Sequence, residues 1–424
     1  MTLAGRERPI GGVGTREDDV LTMPFTALGT AQCLTGDRGL IDRGRTATTR
    51  GRRRRGDSTG RLAVLGIIAS TVLLVIATFS VALGNEGGEE VLKARVSYLT
   101  HDPIAIYTDA GFTPENGTTD GTGTAEDPYI IENWEIDATD GIGILMLATS
   151  AHYVIRNVHV YGAGSHGMYL WSSSNGTVEG CLLDSGTVGM LAMGVSGCNI
   201  TGNTITNQEI GIELFGGRWA NITENTMLNN NVSSLFVYYS DNSSISSNIC
   251  SNSNMSGAVF AESGNMWIGN NVFSNNGYYG ILTNDTHDMV IEGNDVTSDH
   301  LYGVYLGNST DIRVFHNNFV GNDVQAVQDN CTNIAWDDGY PSGGNYWSDY
   351  AGDDDHSGID QDVPGADGIG DTPYMFDVGG VDRYPWMTPG EVIIPEFTAL
   401  LVPLLATSSI ICVMFRSERH RRRQ

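Results

Sequence analysis

The chain has 424 residues, 54 of them glycine, and its formal net charge is -27 at pH 7. This length provides material for one large domain or two small ones. The strong negative charge excludes nucleic acid as a partner, because a phosphate backbone would be repelled.

The N-terminal part of the chain predicts a tail followed by a membrane segment. Residues 1–61 contain the arginine run Arg52 to Arg55 and little hydrophobic periodicity, which indicates a disordered basic cytoplasmic tail. Residues 62–84 predict a transmembrane helix or signal anchor, since 62–83 carry no charge and can cross a hydrocarbon core of about 30 Å. The preceding arginines keep the N-terminus in the cytoplasm. A cleaved signal peptide is the alternative, because the small residues of "ALGN" at 82–85 suit a signal peptidase.

The C-terminal residues 394–424 contain the same two elements in the opposite order, an apolar run and then a basic tail. The apolar run at 397–415 is followed by "RSERHRRRQ", so we expect a second transmembrane helix with a basic cytoplasmic tail. Both termini are then cytoplasmic before any processing, with residues 85–390 outside the cell membrane. Together, "IPEF" at 394–397, the apolar run and the basic end resemble the PEF-CTERM sorting tail of archaeal surface proteins. This resemblance implies an archaeosortase-like processing enzyme as a partner.

A repeat of 22–24 residues lies between these ends. A small residue followed by alternating apolar positions recurs at 143, 167, 189, 211, 234, 257, 280, 303 and 326. A second column keeps the same period and contains Asn157, Asn203, Asn225, Asn248, Asn271, Asn294 and Asn317. Two columns with one period indicate a solenoid.

Each repeat is rich in β-branched residues, glycine and asparagine, which favours three short strands with tight turns. Stacking pairs each strand in parallel with its copy one coil on, so 141–339 predict an all-β, right-handed parallel β-helix of about nine coils. We expect a linker and N-terminal cap at 85–140 and an Asp-rich C-terminal cap at 340–390. The asparagine column is interpreted as a structural ladder of stacked amides. The inward columns that begin at Ile144 and Met146 form the core.

Three features together resemble one family. "GTAEDPYIIENWEID" at 123–137 is similar to the opening phrase of NosD-like β-helix proteins, which are common on archaeal surfaces. Their closing phrase is matched by "GGNYWSDYAGDDDHSGIDQDVPGADGIGDTPYMFDVGGVDRYPWM" at 343–387. With the repeat, the resemblance covers about residues 100–387. It implies a surface β-helix protein; the family is named for a periplasmic copper-binding protein, and its extracellular members are mostly of unknown activity.

A catalytic site would need carboxylates or a base on the outside of the coil. Asp288 and Asp311 occupy equivalent positions in adjacent coils, with His287 and Arg313 beside them. A carboxylate pair about 5 Å apart suits a retaining glycosidase. Aspartates that only cap turns are the other explanation, and the scarcity of lysine and arginine in the coils disfavours a lyase.

The sequence supports calcium better than copper. No Cys-x-x-Cys or His-x-x-x-His pair provides soft ligands, although Cys181 and Cys198 are candidate disulfide partners in an oxidising exterior. Hard oxygen ligands on a flexible loop suit Ca²⁺, and the candidates are Asp353, Asp355, Asp360, Asp362, Asp367 and Asp371. A solvated acidic cap over the edge of the last coil is the alternative.

An apolar outward column could bind a partner or pack under a terminal segment. Because aromatic rings stack on sugar faces, the candidate binding surface consists of Tyr169, Phe236, Tyr278, Tyr279, Tyr302 and Tyr305. Candidate glycosylation sites are Asn116, Asn175, Asn284 and Asn308, which each begin an Asn-x-Ser/Thr triplet.

These observations predict a membrane-anchored cell-surface protein that is structural or binds extracellular polysaccharide without catalysis. A polysaccharide-active hydrolase, lyase or epimerase is the alternative. Other surface proteins are further candidate partners.

Overall fold

The computed structural model describes residues 98–376 and 378–391, which belong to one compact unit, Leu92–Gln424. The predicted membrane segments at 62–84 and 394–424, the basic tail at 1–61 and the linker up to residue 97 lie outside the described residues. Within the described ranges, no helix combines the length and hydropathy needed to span a membrane.

Short strands follow one another along the described chain. The first part contains two 3₁₀ helices, Asp109–Gly111 and Pro114–Asn116, and the strands β1 (Leu99–Thr100), β2 (Ile104–Ile106), β3 (Thr118–Asp120), β4 (Tyr129–Glu132) and β5 (Trp134–Asp137). The coils contain β6 (Ile142–Leu147), β7 (Tyr153–Arg156), β8 (His159–Tyr161), β9 (His166–Trp171), β10 (Gly176–Glu179), β11 (Leu182–Met193), β12 (Asn199–Thr201), β13 (Thr204–Phe215), β14 (Asn221–Thr223), β15 (Thr226–Leu228), β16 (Ser233–Tyr238), β17 (Ser244–Ser246), β18 (Ile249–Ser251), β19 (Ser256–Ala261), β20 (Gly264–Gly269), β21 (Val272–Ser274), β22 (Tyr279–Asn284), β23 (His287–Glu292), β24 (Asp295–Thr297), β25 (Tyr302–Gly307), β26 (Thr310–Phe315), β27 (Asn318–Val320), β28 (Val324–Asp329) and β29 (Thr332–Ala335). The C-terminal cap adds β30 (Tyr346–Trp347), β31 (His356–Ser357), β32 (Val363–Pro364), β33 (Tyr374–Met375) and β34 (Val381–Asp382).

The strands form three faces, and apart from β3, which pairs antiparallel with β4, each coil strand pairs in parallel with its copy one coil on. Face 1 is an 11-stranded sheet of β3, β4, β7, β10, β12, β14, β17, β20, β23, β26 and β29. Face 2 contains β1, β5, β8, β15, β18, β21, β24, β27 and β30, and face 3 contains β2, β6, β9, β16, β19, β22, β25 and β28. The 12-residue strands β11 and β13 run through both, which joins faces 2 and 3 into one 19-stranded sheet. Face 3 makes nine successive parallel pairings from β2 to β28, and the predicted parallel β-helix of about nine coils is confirmed.

The core is filled by the inward columns of face 3. Residues of the columns that begin at Ile144 and Met146 are fully buried as far as Val304 and Leu306, which confirms the predicted core. The sequence period places Val327 next in the column after Val304, but in the last coil Val304 pairs with Ala326 instead. The turn before β28 is one residue shorter than its predecessors, and a shift of one residue turns a side chain to the opposite face of a strand.

The asparagine ladder lies between faces 1 and 2. The Oδ1 of Asn225 accepts hydrogen bonds from the backbone N–H and the Nδ2 of Asn203, at 3.0 and 2.9 Å. Its own Nδ2 donates to the carbonyl of Ile200 (2.8 Å) and to the Oδ1 of Asn248 (3.0 Å). The same pattern continues to Asn317 and ends on Asn345. The amides thus satisfy buried backbone groups at a corner that lies outside the strand pairing.

Asn157 does not belong to this ladder, contrary to the sequence prediction. It lies one position earlier, in a corner column with a left-handed backbone (φ 50°), and its Nδ2 donates to the Oδ1 of Asn133 at 2.5 Å. Asparagine suits both a left-handed corner and an amide ladder, so the sequence pattern merges two neighbouring columns.

A second buried polar column lies between faces 2 and 3 and consists of Gln208, Asn230, Ser253, Asn276, Asp299 and Asn322. The Oδ1 of Asp299 accepts hydrogen bonds from the backbone N–H and the Nδ2 of Asn276, at 2.8 and 2.9 Å. Its Oδ2 has no hydrogen-bond partner within the described residues. Burial raises the pKa of Asp299 to about 7.

The C-terminal cap closes the core with aromatic rings. Trp347 stacks on Phe319 and on Tyr374, with 4.5 Å between ring centroids in both pairs. The buried Asp382 accepts hydrogen bonds from the Nε1 of Trp347 (2.9 Å) and from the backbone N–H of Asn345 (2.7 Å). The cap therefore covers the edge of the last coil and ends the asparagine ladder.

The candidate disulfide between Cys181 and Cys198 is absent, and the described cysteines are all free thiols. Cys181 lies at the corner that follows face 1, whereas Cys198 lies at the corner that precedes it. Burial raises the pKa of both thiols to about 12.

Candidate functional site

Asp288 and Asp311 lie in the corner column between faces 3 and 1. Strand pairing of Met289 with Ile312 places them on adjacent coils, and their φ values are 51° and 56°. The other members of the column also have positive φ: Asn175, Gly197, Trp219, Asn242, Asn265 and Asn333. Aspartate and asparagine tolerate this backbone better than other non-glycine residues, so the corner alone explains the two aspartates.

Both carboxylates contact neighbouring polar side chains. The Oδ2 of Asp288 lies 3.1 Å from the Nδ1 of His287. Asp311 accepts hydrogen bonds from the Oγ1 of Thr310 (3.2 Å) and from the Nδ2 of Asn333. Both carboxylates are exposed on the outside of the coil.

Arg313 is directed away from the two carboxylates. Its guanidinium forms an ion pair with Asp338 of the C-terminal part and lies 4.7 Å from the ring centroid of Phe315. Of the four candidate catalytic residues, the structure therefore joins His287 to Asp288 and ties Arg313 to a different carboxylate.

Four of the predicted binding residues form a tyrosine cluster near the turn between faces 2 and 3. Ring centroids are 5.7 Å apart for Tyr279 and Tyr302, 5.6 Å for Tyr302 and Tyr305, and 6.4 Å for Tyr278 and Tyr279. The hydroxyl of Tyr305 donates to Asp329 at 3.1 Å, and burial raises the pKa of Tyr305. Tyr278 is the most exposed ring of the cluster.

The other two predicted binding residues, Tyr169 and Phe236, lie on earlier coils of face 3. Tyr169 stacks on His166 (5.2 Å between centroids) and its hydroxyl donates to the Sδ of Met193. Residues 98–140 do not cover this column, because they form the first coil, in which β2 pairs with β6. Strand pairing places Tyr169, Phe236 and Tyr305 in one outward column of face 3, several coils apart, and the binding surface stays a prediction.

A different pair of aromatic residues lies on face 1. Trp219 occupies the corner column of Asp288 with φ 52°, although the other members of that column with positive φ, from Asn175 to Asn333, are asparagine, aspartate or glycine. A bulky side chain is uncommon at positive φ, and the left-handed conformation costs about 1–2 kcal/mol. Trp219 is 61% exposed and makes no ring contact within the described residues. Tyr239, also at positive φ, instead packs its ring 4.0 Å from that of Tyr238.

Trp267 lies two coils further on, in the outward column next to the corner. Its indole extends across Gly269 of the same strand, where a Cβ atom would come within 2.2 Å of the ring. The Nε1 of Trp267 donates to the Oε2 of Glu292 on the next coil at 3.3 Å. Glycine beneath the ring and a carboxylate at its edge hold the indole flat on face 1, with 36% of the residue exposed.

The two indoles border an open depression of about 540 Å³, which we name the tryptophan trough. Its lining consists of Trp219, Ala220, Asn221, Asn242, Ser243, Ser244, Asn265 and Trp267. The pairings Asn221 with Ser244 and Ser244 with Trp267 set these residues on three successive coils. The trough therefore combines aromatic rings with polar, uncharged side chains.

The residues that could hold a metal ion do not converge. Within the described ranges, no three His, Cys, Asp or Glu side chains are arranged around a common point. Among the calcium candidates, Asp371 accepts hydrogen bonds from the backbone N–H of Asp355 (3.1 Å) and His356 (3.0 Å) and pairs with the His356 ring at 2.8 Å. The other candidates are exposed: Asp353, Asp355, Asp360, Asp362 and Asp367. Calcium binding by this loop stays a prediction.

Soft metal ligands are also separated. Cys181, Cys198 and Cys250 are buried in different columns, and burial raises the pKa of each thiol, which disfavours the thiolate that a metal binds. Met168 and Met190 fill the core. The donor set of the described residues does not fit a copper ion.

The candidate glycosylation sites differ in access. The Nδ2 of Asn116 donates to the carbonyls of Ala105 (2.7 Å) and Gly111 (3.1 Å) within the N-terminal cap, so a glycan there would disrupt the cap. The remaining candidates are at least partly exposed: Asn175, Asn284 and Asn308.

Solved structures similar to the chain include a double mutant of the periplasmic alginate epimerase AlgG, at 16% identity over 47% of this chain and 65% of that chain, with a TM-score of 0.36. The A-module of the mannuronan C-5 epimerase AlgE4 from Azotobacter vinelandii is 16% identical over 54% of this chain and 75% of that chain, with a TM-score of 0.41. Tailspike protein 2 of the Escherichia coli O157:H7 bacteriophage CAB120 is 14% identical over 58% of this chain and 39% of that chain, with a TM-score of 0.41. Likeness at these values concerns the β-helix alone.

No curated protein matches the chain significantly. The profile of one family, described as periplasmic copper-binding protein (NosD), matches residues 100–279 and 240–352. These ranges include the N-terminal cap, the coils and the start of the C-terminal cap, which together exceed half of the chain. The protein therefore belongs to the NosD family.

Proposed function

We propose that the protein is a cell-surface β-helix that binds extracellular polysaccharide through the tryptophan trough. One observation carries this proposal: Trp219 has a left-handed backbone at a corner where the other left-handed residues are asparagine, aspartate or glycine, and it is exposed there. Strained residues cluster at functional sites. An exposed indole that contributes nothing to the core and destabilises its own backbone needs a role outside the fold.

The chemistry of the trough supports a sugar as the ligand. Indole rings bury the apolar face of a sugar ring, while amides and hydroxyls beside them bind its hydroxyl groups. Trp219 and Trp267 lie two coils apart, about 10 Å along the axis, so an extended chain can contact both. The tyrosine cluster is a second, smaller aromatic surface on which a sugar ring could stack.

The proposed cell-surface location is based on the sequences near the two ends of the chain. The apolar runs at 62–83 and 397–415 anchor the protein, and the β-helix lies outside the membrane, as in an archaeal surface protein with a PEF-CTERM-like tail. The family description, periplasmic, is consistent with a domain outside the cytoplasm.

A polysaccharide-active enzyme is the second candidate, because Asp288 and Asp311 lie on the same face beyond Trp267. The pairing of Trp267 with Val290 and of Val290 with Arg313 places them on the next two coils. A glycan that follows the coil axis over the trough therefore reaches both carboxylates.

A glycan array with the full-length protein, followed by affinity electrophoresis, tests the proposal. We expect Trp267→Ala to weaken binding by about tenfold, as for loss of one stacked ring. Trp171→Ala is the matched control, because Trp171 is exposed on face 3, away from the trough. Equal glycan binding by the wild type, Trp267→Ala and Trp171→Ala would contradict the proposal. Release of reducing sugar or unsaturated uronate that Asp288→Asn abolishes would establish the enzyme instead.

A further inference from the structure

We infer that the trough takes a neutral, hydroxyl-rich glycan rather than a polyuronate. This inference rests on the proposed function and narrows its substrate class. It follows from the hydrogen-bonding state of the lining side chains and from the charges around them.

Apart from Ser243, whose hydroxyl bonds to the backbone of Ala220 and Asp241, the polar side chains of the trough make no hydrogen bond within the described residues. Within the described residues, the side chains of Asn221, Asn242, Asn265 and Ser244 make no hydrogen bond, although asparagines elsewhere on the surface pair between coils, as Asn308 does with Asn284 at 3.0 Å. Amides both donate and accept hydrogen bonds, as sugar hydroxyls do. Three amides and a hydroxyl between two indoles therefore complement an uncharged sugar surface.

The electrostatic surroundings disfavour a polyanion. The trough lining has no charged residue, Glu292 holds the edge of Trp267, and the whole chain carries a net charge of -27. A polyuronate adds one negative charge for each sugar and would be repelled by this field.

Cations that could offset this repulsion are scarce on the described coils. Arg156 pairs with Glu132 at 2.6 Å, and Arg313 pairs with Asp338. Arg218 precedes Trp219, but its backbone bridges to that of Asp241, which brings a carboxylate to the same corner. The described residues also place no three carboxylates that could hold Ca²⁺ against a uronate.

The test is isothermal titration of the full-length protein, produced in a host without N-glycosylation because Asn221 and Asn242 begin Asn-x-Ser/Thr triplets. The probes are hexasaccharides of neutral glucose, mannose and N-acetylglucosamine, and of mannuronate and galacturonate, each at 50 and 500 mM NaCl. We expect a neutral hexasaccharide to bind with a Kd that changes less than twofold with salt, since no ion pair forms. Trp267→Ala should weaken this binding about tenfold.

A charged substitution in the trough shows whether the amides contribute to glycan binding in addition to the indole rings. Asn242→Asp removes two donors and should weaken neutral binding by at least fivefold, whereas Asn199→Asp, in the outward column of Asn221 but outside the trough, should leave it unchanged. If uronates bind more tightly and Trp267→Ala abolishes that binding, the inference is overturned while the proposed function stands. If no hexasaccharide of either kind binds, both fail.

Discussion

The second polar ladder contains one carboxylic acid where its neighbours have amides, and this makes the stability of the β-helix pH-dependent. Asp299 is buried beneath Gly280 and above Asn322, and its Oδ2 has no partner within the described residues. Asn276 and Asn322 donate from the equivalent Nδ2 to the carbonyls of Cys250 (3.3 Å) and Val296 (2.9 Å). A protonated Asp299 can donate in the same way, but an ionised one cannot.

Burial raises the pKa of Asp299 from its ordinary 3.8 to about 7. The folded protein therefore binds one more proton than the unfolded chain between about pH 4 and pH 7. The free energy of unfolding falls as the pH rises through this window and remains low above it. At about 1.4 kcal/mol per pKa unit, the loss is about 4 kcal/mol at pH 8.

Asp299→Asn mimics the protonated acid and removes this loss. We expect the variant to exceed the wild type in unfolding free energy by about 4 kcal/mol at pH 8 and to match it near pH 4. Urea unfolding at both pH values, followed by circular dichroism, measures the difference. Asp323→Asn is the control, because Asp323 is exposed on the next coil. An equal effect of Asp299→Asn at both pH values would show that Asp299 does not titrate between pH 4 and pH 8 in the folded protein.

Three further predictions concern the frame. Asn248→Ala should lower the free energy of unfolding in urea by about 4 kcal/mol, because it leaves the carbonyl of Ile222 and the N–H of Asn225 unsatisfied. Asn199→Ala is the control: the Asn199 side chain is exposed and makes no hydrogen bond within the described residues, so its loss should change stability by less than about 0.5 kcal/mol. Trp347→Ala should cost about 3–5 kcal/mol by the same assay, since it removes the stacked ring over the last coil, and an effect below 1 kcal/mol would contradict the cap's role. Iodoacetamide should not alkylate Cys250 in the native protein, because burial shields this thiol and raises its pKa. Mass spectrometry should detect the modification only after urea unfolds the chain. Rapid labelling of Cys250 without urea would show that the coil opens.

The sequence predicts the coils well, because each coil repeats the same physical task. Ile144 and Met146 begin columns whose burial recurs at a fixed period, so one correct register predicts the rest. The prediction is wrong at Asn157, because asparagine suits both the left-handed corner and the amide ladder. It is also wrong at Val327, because the turn before β28 is one residue shorter. The first coil, from β1 to β5, lies in the predicted linker and cap because its turns lack the period.

The trough was missed for the opposite reason. A repeat is recognised by residues that agree between coils, whereas Trp219 differs from the other left-handed residues of the column that contains Asp288. The departure is visible in the sequence, since a tryptophan replaces asparagine, aspartate or glycine there. Its meaning depends on the left-handed backbone and on the position of Trp267, and only the structure shows these.

The role of Trp219 in binding is tested most directly by one variant, Trp219→Asn, whose affinity and stability are measured in the same samples. This change restores the residue type of the column. We expect the variant's affinity for the glycan that binds the wild type on the array to fall at least tenfold, while the free energy of unfolding rises by about 1 kcal/mol. Unchanged affinity, or a loss of stability together with affinity, would contradict the claim that Trp219 is kept at a strained corner for binding.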